Sequence, residues 1–429
     1  MTKYSRRPPR LSHRYHGEQD NTINTTGQPM SDVNQPIDAY AASNTIAKPT
    51  NGITASSQPR HRTHLIFVDV LNIFACIAVV ALHVSLNVFS PQPTHLWLKA
   101  VALQGMGIFA VPIFFMISGM NLLGYHEKYS TATFFKKRVL RTGRALLLGS
   151  IACYALFCLF PYSFYGANQF ASGPNIVDFA KRFLTNQIND IYWFFYTIIY
   201  LYIITPVISQ AMNNKRIVQY ILVICLFIAV LLPFLTHIGV PSKYFGTLFN
   251  WPLFANTAVM YYVSGYYVKC YVDVQRIKPW VYALIFVLST GAMIAAGLIS
   301  NGWHTSNGLH QQYDNYYIGT TSPLCVIQVL SLFLFVMSLE PLLQQRSNTV
   351  KKSIARISGL SLGVYLFHIL VINWWGVNYG TVLTNNPFMR LIIVYIVTAV
   401  GVFVGQTIIG WLKAITIHAV HFLRVSYRN

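Results

Sequence analysis

Residues 67–83 read FVDVLNIFACIAVVALH. Apart from Asp69, Asn72 and His83, every residue in the stretch is apolar. Crossing the hydrocarbon core of a bilayer, roughly 30 Å thick, takes about 20 helical residues, and this stretch with its apolar flanks has that length. Comparable runs recur to the end of the chain. Ten spans can be drawn, over 65–89, 98–123, 138–160, 191–211, 217–237, 250–271, 279–299, 318–343, 359–379 and 388–412. The expected fold class is therefore all-α: a polytopic transmembrane helical bundle of about ten helices.

Composition agrees. Of 429 residues, 54% are apolar and 10% charged, whereas soluble domains carry about 25% charged residues. The formal net charge of +20 raises the question of nucleic acid, but its distribution answers it. If the N-terminus is inside, only Lys99, Lys181, Arg182, Lys243 and Arg390 of the 31 lysines and arginines fall on outside segments. That asymmetry is the positive-inside rule. It implies a multi-pass protein of the plasma membrane with both termini cytoplasmic, a lipid bilayer as its surroundings, and no nucleic-acid partner.

Residues 1–64 are rich in Ser, Thr, Asn, Gln, Pro and Arg and too polar to bury a core, so a disordered basic cytoplasmic tail is expected. The membrane domain then occupies 65–412, and 413–429 forms a short basic cytoplasmic tail. The six cysteines, Cys76, Cys153, Cys158, Cys225, Cys270 and Cys325, lie in or at the ends of apolar spans without a CxxC pair. They read as small buried hydrophobes. No histidine or cysteine spacing suits a metal ion, so no metal site is expected.

Polar groups inside a membrane are costly and mark function by default. On the first span Asn72 follows Asp69 by three residues and precedes His83 by eleven, and eleven steps of 100° return to within about 20° of the start. The three share one helix face, with His83 about 21 Å beyond Asp69 along the axis. A neutral imidazole there can accept a proton from a hydroxyl; a buried histidine bonded to a neighbouring helix fits the span equally. In the second span, Pro112 removes a backbone bond and Ser118-Gly119 permits close helix packing. Lys137, Arg138 and Arg141, with Lys136 and Arg144, open the third span in FFKKRVLRTGRALLL. They form either a topogenic charge run or a surface that grips phosphate. In the late span SGLSLGVYLFHILVINWW, Ser361, Tyr365 and His368 lie on one face. They line a cavity or bond between helices.

Several of these segments, in order, resemble the acyltransferase-3 family of integral-membrane enzymes. FVDVLNIFACIAVVALH is similar to the family's first span, VPIFFMISGMNLL to its second, KKRVLR to the basic RxxR opening its third, WFFYTIIYLYIITPV to its fourth, and SGLSLGVYLFHILV to its late Ser–Tyr–Leu–His span. The resemblance implies transfer of an acyl group, commonly acetyl, from acetyl-CoA or another acyl-CoA co-substrate to hydroxyls of an envelope glycan or glycolipid, with no tightly bound cofactor. It implies that His83 is the catalytic histidine, as general base or as carrier of the acyl group. Asp69 joins it as a catalytic candidate on the same face. By the same resemblance Arg138 and Arg141, with Lys137, lie near the phosphates of the donor, and Asn72, Tyr365 and His368 become candidate substrate contacts.

One departure stands out. Many members carry Arg or Lys where this chain has Asn72, with ten residues before the histidine, which implies different donor contacts or a changed acceptor. Members with an extracytoplasmic esterase-like domain also exist. Its lack after the last span implies that the acceptor binds the membrane domain directly or through an extracytoplasmic partner protein. The alternative function is a transporter or flippase for polysaccharide or lipid-linked sugar. Coupled carriers often place acids near the midplane, whereas the span acids here, Asp69 and Glu340, sit at the cytoplasmic ends.

Overall fold

The structure is a computed structural model that describes residues 64–244, 253–304, 308–380 and 386–426. The tail expected over 1–64 lies outside the described residues except for His64, and so do residues 427–429 of the C-terminal segment. Among the described residues there is no strand. Helices stand at all ten expected spans. Among the described residues, eight helical stretches are long and apolar enough to cross a membrane.

In chain order, α1 is Ile66–Val84, α2 His95–Gly107, α3 Ala110–Leu122, α4 Thr131–Lys137, α5 Val139–Leu159, α6 Ile176–Leu184 and α7 Trp193–Ala211. Then α8, Lys215–Leu226, runs through a π turn into α9, Leu232–His237. They are followed by α10 Thr257–Tyr271, α11 Pro279–Ser300, α12 Pro323–Ser338, α13 Glu340–Gln344, α14 Asn348–Asn378 and α15 Pro387–Ser426. Several of the expected spans are shorter than drawn: α1 ends at Val84, α10 has 15 residues and α12 has 16. The last helix is longer, continuing past 412 to Ser426. The second span divides at Ile108 and Phe109, between α2 and α3. Pro112 has no N–H to give the Ile108 carbonyl, so the helical ladder loses a rung there.

The core wraps around α1, which packs against α2, α3, α12, α14 and α15. Its N-terminus receives no cap from Leu65. Instead the Glu340 carboxylate accepts the backbone N–H groups of Ile66 (3.1 Å) and Phe67 (2.7 Å). The first N–H groups of a helix have no partner within it and carry partial positive charge, so an acid is favoured there. Gln344 ties this contact to the chain before α1 by donating to Glu340 (2.6 Å) and to the His64 carbonyl (2.7 Å).

α1 and α14 run parallel and in register. Cys76 Sγ donates to the Ser361 carbonyl at 3.6 Å, and seven residues later on both helices His83 meets His368. α3 and α10 cross almost backbone to backbone. A Cβ on Gly119 would lie 1.7 Å from the Tyr262 carbonyl oxygen, and one on Gly265 would lie 2.0 Å from that of Met116. Only glycine fits at either position, the small-residue contact common where membrane helices touch. All six cysteines are unpaired thiols. The expectation that all are buried needs one correction: Cys158 is half-buried and Cys270 exposed, because each sits near the end of its helix.

Candidate active site

The site begins with two imidazoles on neighbouring helices. His83 lies in the last turn of α1, half-buried, and its Nδ1 is 2.8 Å from the Val79 carbonyl one turn earlier. His368, fully buried on α14, places Nδ1 at 2.9 Å from both the Val364 and Tyr365 carbonyls. The two rings meet with His368 Nε2 at 3.2 Å from His83 Nδ1, their centroids 5.0 Å apart.

These partners assign the protons. A carbonyl oxygen only accepts, so both rings carry hydrogen on Nδ1. His368 Nε2 is then a lone pair facing the His83 Nδ1–H, which it shares with Val79. His83 Nε2 carries the remaining lone pair and has no hydrogen-bond partner among the described residues. A base with a free lone pair is thus backed by a second imidazole, and a proton gained at Nε2 leaves positive charge facing two acceptors. This is the logic of a base oriented by a third group, with imidazole where a carboxylate often stands.

His368 is itself held. The Tyr365 hydroxyl donates to the Ile191 carbonyl at 2.8 Å, and the Tyr192 hydroxyl donates to the Leu366 carbonyl at 3.1 Å. The chain entering α7 therefore brackets the turn of α14 that carries His368. The Tyr365 ring stands edge-on to the His368 ring, with centroids 6.0 Å apart. On the other side of His83, Gln104 donates to the Leu82 carbonyl (2.7 Å) and to Ser85 Oγ (3.0 Å). That contact fixes the end of α1 against α2. Gln328 on α12 donates to the Gly105 carbonyl (2.9 Å) and to Thr290 (2.8 Å). The site reading missed Gln104 and Gln328. Both are amides inside apolar spans, and the rule that singled out His83 would have found them.

Other expected site residues fall elsewhere. Asp69 stands at the start of α1, where His64 Nε2 lies 2.5 Å from its carboxylate. Asn72 is half-buried one turn further on. Neither is brought to His83, since the shared helix face spans almost the whole of α1. Ser361, two turns before His368, has a buried hydroxyl with no hydrogen-bond partner among the described residues.

The basic cluster sits where α4 meets α5. Lys137 Nζ lies over the Tyr129 ring, 4.9 Å from its centroid. Arg138 turns inward: its Nε is buried, with no hydrogen-bond partner among the described residues. Arg141 is exposed and lines a groove beside α14 and α15. Gly149 packs against Leu366 so closely that a Cβ there would lie 3.0 Å from Leu366 Cδ2, which fixes α5 against α14. Arg138 precedes Gly149 by eleven residues, about 17 Å of helix. The cations and the histidine pair are therefore separated along the bundle. Among the described residues no three of His, Cys, Asp and Glu converge as a metal site would require.

The sequence profile of the acyltransferase-3 family, described as an acyltransferase domain, matches residues 65–408. The chain belongs to the acyltransferase-3 family. Searches of curated proteins and of solved structures gave no match to it. Membership makes this a membrane acyltransferase in general terms. The histidine pair is contributed by the first helix of that domain and by its late helix α14.

Proposed function

We infer that the protein transfers an acyl group, acetyl in the first instance, from acyl-CoA to a hydroxyl of an envelope glycan or glycolipid. The observation that carries this reading is the free Nε2 lone pair of His83, backed through Nδ1–H by the buried His368. In the proposed step the acceptor O–H gives its proton to His83 Nε2 while its oxygen attacks the thioester carbonyl carbon. The tetrahedral intermediate collapses with cleavage of the C–S bond, and the departing thiolate takes the proton back from His83. Ester and free CoA leave. Charge on the imidazolium is held by the Val79 carbonyl and His368 Nε2, so His368 acts as a positioning residue.

The donor's phosphates are assigned to Lys137 and the inward-turned Arg138, the latter with an unpartnered buried Nε. Guanidinium grips phosphate in a bidentate way. The long, thin pantetheine arm suits the separation between these cations and the histidine pair. The lysine and arginine distribution supports placing the cations at the cytoplasmic face of the plasma membrane, where acyl-CoA is met. The same distribution directs the His83 end of α1 outward, toward an envelope acceptor or an extracytoplasmic partner protein that delivers it.

The test is release of CoA from acetyl-CoA by the full-length protein in nanodiscs, with candidate glycan acceptors present. Wild type, His83→Ala and Arg138→Ala are compared, each checked for folding. Acceptor-dependent release that vanishes in His83→Ala, with weakened donor binding in Arg138→Ala, supports the assignment. Release unchanged in a folded His83→Ala protein would sink it.

A further inference from the structure

A second site faces away from the histidine pair. Between the outer face of α14, the facing side of α15 and the start of α5 lies a cavity of about 690 Å³. Its walls on α14 include Gly359, Leu366 and Leu370, and on α15 Gly401, Gly405 and Ile409. His368 is not part of it, because it projects from the opposite side of α14. The lining runs from Gly359 to Val371 on one helix and from Val397 to Ile409 on the other, about 18 Å at 1.5 Å per residue.

The walls are apolar apart from Arg141, Gln406 and Thr398, and the Thr398 hydroxyl is taken up by the Val394 carbonyl of its own helix. Arg141 lines the groove. Eight residues separate it from Gly149, which abuts Leu366, so it sits about 12 Å back along α5. Gly359 is seven residues before Leu366, a comparable distance, so Arg141 stands at the Gly359 end. Lys352 and Arg356 precede Gly359 at seven and three residues on the same stripe of α14. Among the described residues, Arg141, Lys352 and Arg356 have no hydrogen-bond or carboxylate partner.

An apolar trough set in a membrane bundle, with unpaired cations at one mouth, matches an amphiphile. The mouth selects a negative head, and the trough selects an acyl chain. We propose that the groove between α14 and α15 binds an anionic phospholipid of the surrounding bilayer, with its phosphate at Arg141 and Arg356 and one acyl chain along Gly359, Gly401 and Gly405. Such lipids concentrate at basic segments beside membrane helices. The glycines give the chain its room: a Cβ on Gly359, Gly401 or Gly405 would meet nothing within 4 Å. Side chains placed there project into the groove without disturbing either helix.

The test reads lipid retention rather than acyl transfer, so it stands or falls separately from the proposed reaction. Full-length protein is equilibrated with equal phosphatidylglycerol and phosphatidylcholine of identical chains and examined by native mass spectrometry. Wild type is expected to retain phosphatidylglycerol about tenfold over phosphatidylcholine. Arg141→Ala/Arg356→Ala is expected to lose that preference, and Gly359→Leu/Gly405→Leu to lose retention of both. A photoactivatable phosphatidylglycerol analogue on wild type keeps the test independent of variant folding: crosslinks should fall within 359–371 and 397–409. Equal retention of the two lipids, a filled groove that still holds phosphatidylglycerol, or crosslinks only elsewhere would overturn the proposal. So would one-for-one displacement by palmitoyl-CoA at lower concentration, which would give the groove to an acyl donor.

Discussion

At the scale of single residues, the His83–His368 contact makes the sharpest demands. General acid–base groups contribute about 10²- to 10⁴-fold to rate. His83→Ala is therefore expected to lower kcat by that range in the CoA-release assay, with an unchanged circular dichroism spectrum. In the proposed step His368 acts through His83, and a misplaced base costs about 10²-fold or less. His368→Leu should lower kcat while leaving donor KM in place. His368→Gln, whose amide oxygen can still accept from Nδ1–H, should recover part of the loss. Equal loss in Leu and Gln variants would make His368 a packing residue only. Much of this pair was legible in the sequence, since each histidine stands alone deep in an apolar span. Their meeting was not, because helical periodicity fixes which residues share a face but not which faces touch across 285 residues. The height of Asp69 was legible as well: fourteen residues before His83 puts it about 21 Å back along α1, and there His64 is its partner.

At the scale of helices, two contacts hold α1 and α3 in place. Glu340 caps α1 through two backbone N–H groups, and lost caps cost about 0.5–2 kcal/mol. Glu340→Ala is expected to lower stability by about that amount in a thermal melt and to raise amide exchange at Ile66 and Phe67. The Gly119–Gly265 crossing is less forgiving. Gly119→Val must separate two backbones, and overpacking costs typically 1–3 kcal/mol and more where nothing can yield. The variant should fail to give folded protein, while Gly359→Ala, with open space around its Cβ, should be neutral. The span positions were legible because bilayer thickness sets a length that hydropathy reports directly. The break at Ile108 and Phe109 and the role of Glu340 were not. The first depends on where a proline falls against neighbouring packing, and the second on a contact across 273 residues.

At the scale of the molecule, the lysine and arginine distribution predicts which end faces the cytoplasm, and the exposed thiol of Cys270 offers a way to read it. Cys270 follows Lys269 at the end of α10 that the charge distribution places inside. In a Cys158→Ser background, a membrane-impermeant maleimide should label Cys270 in inside-out vesicles and not in intact cells. The reverse pattern would invert the bundle and move the cations of α4 and α5 away from cytoplasmic acyl-CoA. The family profile matches residues 65–408. The proposed donor, acceptor and lipid sites each depend on surfaces formed by several helices at once, which no single span encodes.

The glycine crossing also bears on how the protein is made. Gly119 and Gly265 are 146 positions apart in the chain, and synthesis adds about 5–20 residues per second. Once α3 has left the ribosome, its mate is about 7–30 s from existing. Through that interval the notch at Gly119 faces lipid or an assembly factor. Nascent chains arrested before residue 265 should therefore crosslink from α3 to the insertion machinery, and chains arrested well beyond α10 should not. For this protein, a crossing that only glycine permits must wait for a helix made 146 residues later.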